Sequence, residues 1–152
     1  MRAPLRTRIK FCGMTRADDI ALACALGVDA VGLVFAQRSP RRLEIEQAAA
    51  LRAQALPLVD VVALFMDNDA AHVQRVIDDV QPTLLQFHGG EDEAFCRAFG
   101  VPYLKAVAMG GDADDAAIAR HPGAAGLLLD SHAKGGAGGP GPGVHWAWHS
   151  RR

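Results

Sequence analysis

The stretch Ala30-Val31-Gly32-Leu33-Val34-Phe35 decides the architecture. It is a continuous apolar run, without the alternation of a strand that has one wet face. Such runs are how strands buried on both faces of a parallel sheet read. Working outward, comparable runs occupy Arg8–Cys12, Val61–Phe65, Thr83–Phe87, Tyr103–Val107 and Gly126–Leu129. Their ends recur about every 20–30 residues, the length of one strand followed by one helix.

The intervening segments carry helix signals with recognisable ends. Thr15 stands three residues before Asp18, a capping-box spacing, and Gly27 offers a left-handed stop. A second helix is expected over Glu44–Leu56, ending before Pro57. Asp67-Asn68-Asp69 supplies capping oxygens for a third that runs toward Val80 and stops before Pro82. Glu91–Phe99 closes on Gly100, and Asp112–Arg120 closes before Pro122-Gly123. The pattern is one βα-repeating domain over residues 1–152, with a divergent tail at 140–152.

Composition excludes other classes. Of 152 residues, 50% are hydrophobic and 22% charged, with a formal net charge of −1. That is too apolar for disorder and too balanced for a partner held by bulk charge, so neither nucleic acid nor a membrane surface is expected. No apolar run approaches the ~18 residues that span a bilayer, and Met1–Arg8 lacks a signal peptide's apolar stretch. Three cysteines, at 12, 24 and 96, make no disulfide framework and point to a reducing cytoplasm. No His-x-x-x-His or paired-Cys spacing suggests a metal site.

Two architectures fit: an open doubly wound sheet, favoured by length, and part of an eight-fold barrel. In either one, ligands bind at the C-terminal ends of the strands. Those ends carry Cys12-Gly13, Phe35 followed by Arg38 and Arg41, Asp67, Gln86 with His88-Gly89, and Asp130. A thiol, carboxylates, an imidazole and guanidinium groups on one rim suit acid–base chemistry on an anionic metabolite.

Each group also has a plainer role. Cys12, near a helix N-terminus that would favour its thiolate, is a base or nucleophile, or else a small buried hydrophobe. Asp130, directly after Gly126-Leu127-Leu128-Leu129, is a site carboxylate or a loop cap. His88 contacts ligand or simply lies on the rim. Arg38, Arg41 and Arg42 clamp an anion or stay solvated. Cys24 and Cys96 read as packed helix residues. Gly135–Gly143, with six glycines in nine positions, lacks the Gly-Lys-Ser/Thr ending of a P-loop and suits mobility near a substrate, or a linker.

Taken in order, Ile9-Lys10-Phe11-Cys12-Gly13-Met14-Thr15, Gly27–Phe35, Ser39-Pro40-Arg41, Leu85-Gln86-Phe87-His88-Gly89, Leu128-Leu129-Asp130-Ser131 and Gly135-Gly136-Ala137-Gly138-Gly139 resemble the phosphoribosylanthranilate isomerase family of tryptophan biosynthesis. The resemblance implies a (β/α)8 TIM barrel without metal or organic cofactor. Its small-molecule substrate is N-(5-phosphoribosyl)anthranilate, rearranged to 1-(2-carboxyphenylamino)-1-deoxyribulose 5-phosphate by an Amadori reaction. It further implies Asp130 as general acid, Cys12 as general base and Arg41 as the holder of the anthranilate carboxylate. Gln86 and His88 join Arg41 in binding substrate, His88 shaping the site rather than doing chemistry.

The tail departs from the family's Gly-x-x-Phe-Asp-Trp continuation: Gly141-Pro142-Gly143-Val144-His145-Trp146 keeps only the first Gly and the Trp. About six βα units are expected, three-quarters of a barrel, with exposed edges at the first and sixth strands. Without the last two units, whose loops hold phosphate in such barrels, low activity is expected of the chain alone. A non-catalytic remnant or binding module of the same fold is the alternative, and a receiver-like doubly wound domain a more distant one.

Overall fold

The computed structural model describes residues 6–108 and 119–130. Along them run β1 (Lys10–Cys12), α1 (Ala17–Ala25), β2 (Ala30–Val34), α2 (Ile45–Arg52), β3 (Asp60–Phe65), α3 (Ala70–Val80), β4 (Leu84–Phe87), α4 (Glu93–Arg97), β5 (Tyr103–Ala108) and β6 (Gly126–Asp130). The helix expected over Asp112–Arg120 lies, but for its last two residues, outside the described residues, as do the glycine-rich block and the tail.

All six strands pair in parallel and in chain order, β1-β2-β3-β4-β5-β6. A doubly wound sheet reverses its strand order at a switch point, and no reversal occurs here. The receiver-like reading falls with it. The sheet also curls: Lys10 Nζ on β1 donates to Gln86 Oε1 on β4 at 2.7 Å. In a flat sheet those strands would stand roughly 14 Å apart, three inter-strand spacings. The six strands therefore form an arc of a barrel wall, with β1 and β6 at its edges.

The arc explains why the strand sequences lack alternation. On the convex face, Val31, Leu33, Phe35, Val61, Ala63, Phe65, Leu85 and Phe87 pack against Ile20, Ala23, Ala48, Leu51, Val73 and Val76 of the helices. On the concave face, Val34, Ala36 and Leu64 gather with Cys12 and Met66. Both faces bury apolar side chains, so both strand parities are hydrophobic. Phe35, Phe65 and Phe87 stack across three neighbouring strands at centroid distances of 5.5 and 5.8 Å, fixing the register of β2, β3 and β4. At the edges, Ile9 and Phe11 beside β2, and Leu127 and Leu129 on β6, remain exposed.

The first and third helices stop where expected, the second and fourth stop early, and the first and fourth start late. After α1, Gly27 adopts φ +78°, its amide bonds to Cys24 O and the Val28 amide to Ala23 O, a Schellman closure. The Thr15 capping box does not form. Arg16 is the extended N-cap residue with no side-chain cap, leaving Thr15 one residue too early to serve α1. The second helix ends at Arg52 rather than Leu56: Gln54 and Ala55 make tight bonds to Leu51 O and Arg52 O, and Pro57 disfavours helix in the residue before it. Asp69 caps α3 through the His72 amide, as its acidic run suggested. The fourth helix shrinks to Glu93–Arg97 because Asp92, not Glu91, supplies the capping oxygen, to the Phe95 amide.

Candidate active site

Every strand here ends on the same rim, since all six run in one direction. On β1, Cys12 is half-buried, and its carbonyl accepts from Arg41 Nη1 at 3.3 Å. Arg41 reaches it because the following residue is Gly13, with φ +83°. A Cβ at that position would stand 2.7 Å from the Arg41 Cδ. The Arg41 amide is tied to Ser39 Oγ at 3.2 Å, so the Ser39-Pro40-Arg41 turn aims the guanidinium at the end of β1. Arg42 turns outward and pairs with Glu44 at 3.0 Å. Arg38 lines a shallow cleft with Ala36, Gln37, Met66 and Asp67. Of the three arginines, Arg41 is the one the fold brings to Cys12.

The opposite side of the arc carries a polar chain. His88 Nε2 and Asp130 Oδ2 lie 2.7 Å apart, joining the residue after β4 to the last residue of β6. Gln86 Nε2 stands 3.5 Å from His88 Nδ1, and Gln86 Oε1 accepts from Lys10 at 2.7 Å. Gln86 is 1% exposed, so it sits inside the barrel arc below the rim rather than on it. Lys10 has a part in the site that the sequence reading missed. The signal was its place two residues before Cys12, which puts both side chains on the concave face of β1.

Asp67, read from sequence as a rim carboxylate, is taken up in holding loops together. With φ +55°, it accepts from the Gly90 amide at 2.7 Å, while its own amide donates to Glu91 Oε1 at 2.8 Å. Glu91 Oε2 in turn accepts from the Gly89 amide and from Lys105 Nζ, both at 2.9 Å. A buried ion pair therefore anchors the loop after β4, and with it the placement of His88. Asn68 adds a tie on the other flank, donating to Phe35 O at 3.1 Å.

The remaining cysteines are structural. Cys96 is fully buried, and burial pushes its thiol up to about 12; Cys24 is buried in α1. Among the described residues, no group of three or more His, Cys, Asp or Glu is placed to hold a metal ion. What the rim offers is a half-buried cysteine whose carbonyl meets a guanidinium, and a carboxyl held by an imidazole. That is the equipment for moving protons on an anionic substrate.

The sequence profile of N-(5'-phosphoribosyl)anthranilate (PRA) isomerase matches residues 9–150. An N-(5'-phosphoribosyl)anthranilate isomerase of Stenotrophomonas maltophilia strain R551-3 is 56% identical over 149 residues, covering 96% of this chain and 68% of its own length. One of Xanthomonas euvesicatoria pv. vesicatoria is 56% identical over 153 residues, covering 96% and 69%. Among solved structures, the phosphoribosyl anthranilate isomerase of Thermus thermophilus matches with a TM-score of 0.74 at 37% identity, over 81% of this chain and 62% of its own. A phosphoribosyl anthranilate isomerase in complex with reduced 1-(o-carboxyphenylamino)-1-deoxyribulose 5-phosphate matches with a TM-score of 0.77 at 29% identity, over 82% and 65%. This chain thus spans about two-thirds of the length of its relatives. Profile, identity and strand order agree: the chain belongs to the N-(5'-phosphoribosyl)anthranilate isomerase family.

Proposed function

We propose that this chain carries the proton-transfer machinery of a phosphoribosylanthranilate isomerase, acting on N-(5-phosphoribosyl)anthranilate by an Amadori rearrangement. Asp130 donates a proton to the furanose ring oxygen while the C1–O bond breaks, the anthranilate nitrogen supplying the electron pair that forms the imine. Cys12, as thiolate, removes the proton from C2, and that electron pair moves to give an enolamine. Reprotonation at C1 and loss of the O2 proton complete the ketone. Arg41 holds the anthranilate carboxylate through charge-assisted bonds at the end of β1. His88 and Gln86 shape the other wall.

The observation that carries this reading is the 2.7 Å contact between His88 and Asp130 at the strand ends. A carboxyl fixed in that way can present a proton to a sugar bound between β6 and β1. The location we propose is the cytoplasm; among the described residues, no helix is long and apolar enough to cross a membrane.

The test is an isomerase assay on this chain, alone and joined to the C-terminal third of the Stenotrophomonas relative. Turnover is expected in the joined form, falling ~100-fold or more in Cys12→Ala and in Asp130→Asn with folding retained. Near-wild-type turnover in either variant overturns the assignment. No turnover in a folded joined form would favour a binding module instead.

A further inference from the structure

The hydrogen-bond chain behind Asp130 has a direction that follows from chemistry alone. Lys10 Nζ can only donate, so the Gln86 atom 2.7 Å from it is the amide oxygen. The other end of that amide is then an NH2 group, which also only donates, and it faces His88 Nδ1 at 3.5 Å. Nδ1 must offer its lone pair, so a neutral His88 carries its proton on Nε2. Nε2 is the nitrogen 2.7 Å from Asp130 Oδ2. Gln86 is 1% exposed, so no water competes to turn the amide round.

We infer that Lys10 and Gln86 are positioning residues that set the tautomer of His88, and through it the way Asp130 is held. With Nε2–H donated to Oδ2, that oxygen is an acceptor whether or not the carboxyl is protonated. The proton Asp130 transfers then rides on Oδ1. The opposite tautomer would put a bare Nε2 against Oδ2, draw the carboxyl proton into the His88 contact and withhold it from a substrate. This inference rests on the general-acid role proposed for Asp130 only in its consequence; the tautomer itself is a property of the free chain.

The experiment is nitrogen-15 NMR on histidine-labelled chain at mildly alkaline pH, where an ordinary imidazole is neutral, with His88 assigned by its absence in His88→Gln. The expected wild-type signature is protonated Nε2 and bare Nδ1. In Gln86→Glu, the carboxylate accepts from both Lys10 and His88, so the proton moves to Nδ1. Lys10→Met releases the amide and mixes the two tautomers, giving a second variant if Gln86→Glu does not fold.

A wild-type His88 protonated on Nδ1, or a tautomer unchanged in every folded variant, overturns the inference. Neither result touches the roles of Cys12 and Asp130, which stand or fall by the Cys12→Ala and Asp130→Asn assays. In the joined active form, Gln86→Glu is expected to lower kcat about 10–100-fold with little change in KM, the loss of one charge-assisted bond to Asp130.

Discussion

Gly32 on β2 stands directly beside Cys12 on β1: a Cβ at position 32 would lie 2.8 Å from the Cys12 Sγ and 3.1 Å from its Cα. The two are register partners in the parallel ladder, so neither can move without disturbing β1–β2 pairing. The glycine in the middle of an otherwise bulky strand is therefore space reserved for the thiol. Gly32→Ala is expected to displace the Cys12 side chain, costing about 1–3 kcal/mol of stability through overpacking. Thermal denaturation measures the cost, and the rate of Cys12 alkylation, read by mass spectrometry, reports the displacement. Wild-type values for both would show that the strands part freely at this point.

How far the site could be read beforehand follows the range of the interactions. The places of Cys12 and Asp130 are legible because each ends a strand, and that of Arg41 because it lies in the loop after one; strand ends are marked locally by apolar runs and by glycine or proline. The αL stop at Gly27 and the Asp69 cap were visible for the same reason. Lys10 was not, because its partner Gln86 is 76 residues away and is met only when the sheet curls. Asp67 stands on the rim as its position implies, but the partner of its carboxylate, the Gly90 amide 23 residues on, is not legible for the same reason. The Thr15 cap failed for a local reason, since a spacing rule cannot tell whether the chain is still extended at the next residue.

Arg41 and Arg42 are adjacent but should behave differently. Arg41 reaches the Cys12 carbonyl, whereas Arg42 pairs with the largely exposed Glu44. In an active form, Arg41→Ala is expected to raise KM for substrate about tenfold or more by removing a charge-assisted contact to the carboxylate. Arg42→Ala should leave KM unchanged and stability within about 0.5 kcal/mol. Steady-state kinetics on the two variants, with a denaturation curve for each, separate them. Equal effects would contradict the assignment of Arg41 to the substrate.

Acid should loosen the start of the barrel wall first. Asp29 accepts from Arg6, from the Ile9 amide at 2.8 Å and from Arg8 at 2.7 Å. Those bonds, the Arg6 contact foremost, hold its carboxyl far below the ordinary value of 3.8. A depressed carboxylate contributes stability that is full above its unfolded value and lost as pH falls toward the folded one. The contribution is therefore complete at neutral pH, begins to fall near pH 4 and declines steadily with further acid. In Asp29→Asn, acid unfolding should lose this component, and stability at neutral pH should fall. Denaturant midpoints at neutral pH and near pH 3 check both; an unchanged pH dependence would show that the cluster contributes nothing.

The loop carrying His88 depends on a pair well below the surface. Lys105 and Glu91, with side chains 6% and 4% exposed, meet at 2.9 Å, and Lys105 also donates to Gly89 O at 2.7 Å. Removing one member leaves the other charge buried without its counter-ion, which costs far more than the pair contributes when intact. Lys105→Met is thus expected to destabilise by about 3–5 kcal/mol, and adding Glu91→Gln to it should recover part of that loss. The neutral amide introduced by Glu91→Gln keeps one acceptor for the Gly89 or Asp67 amide, not both, so recovery should be incomplete. Urea denaturation of the two single variants and the double variant gives the coupling directly. If Lys105→Met alone were neutral, water would have to reach Glu91, and the loop would be less firmly held than its bonds to Gly89, Gly90 and Asp67 indicate.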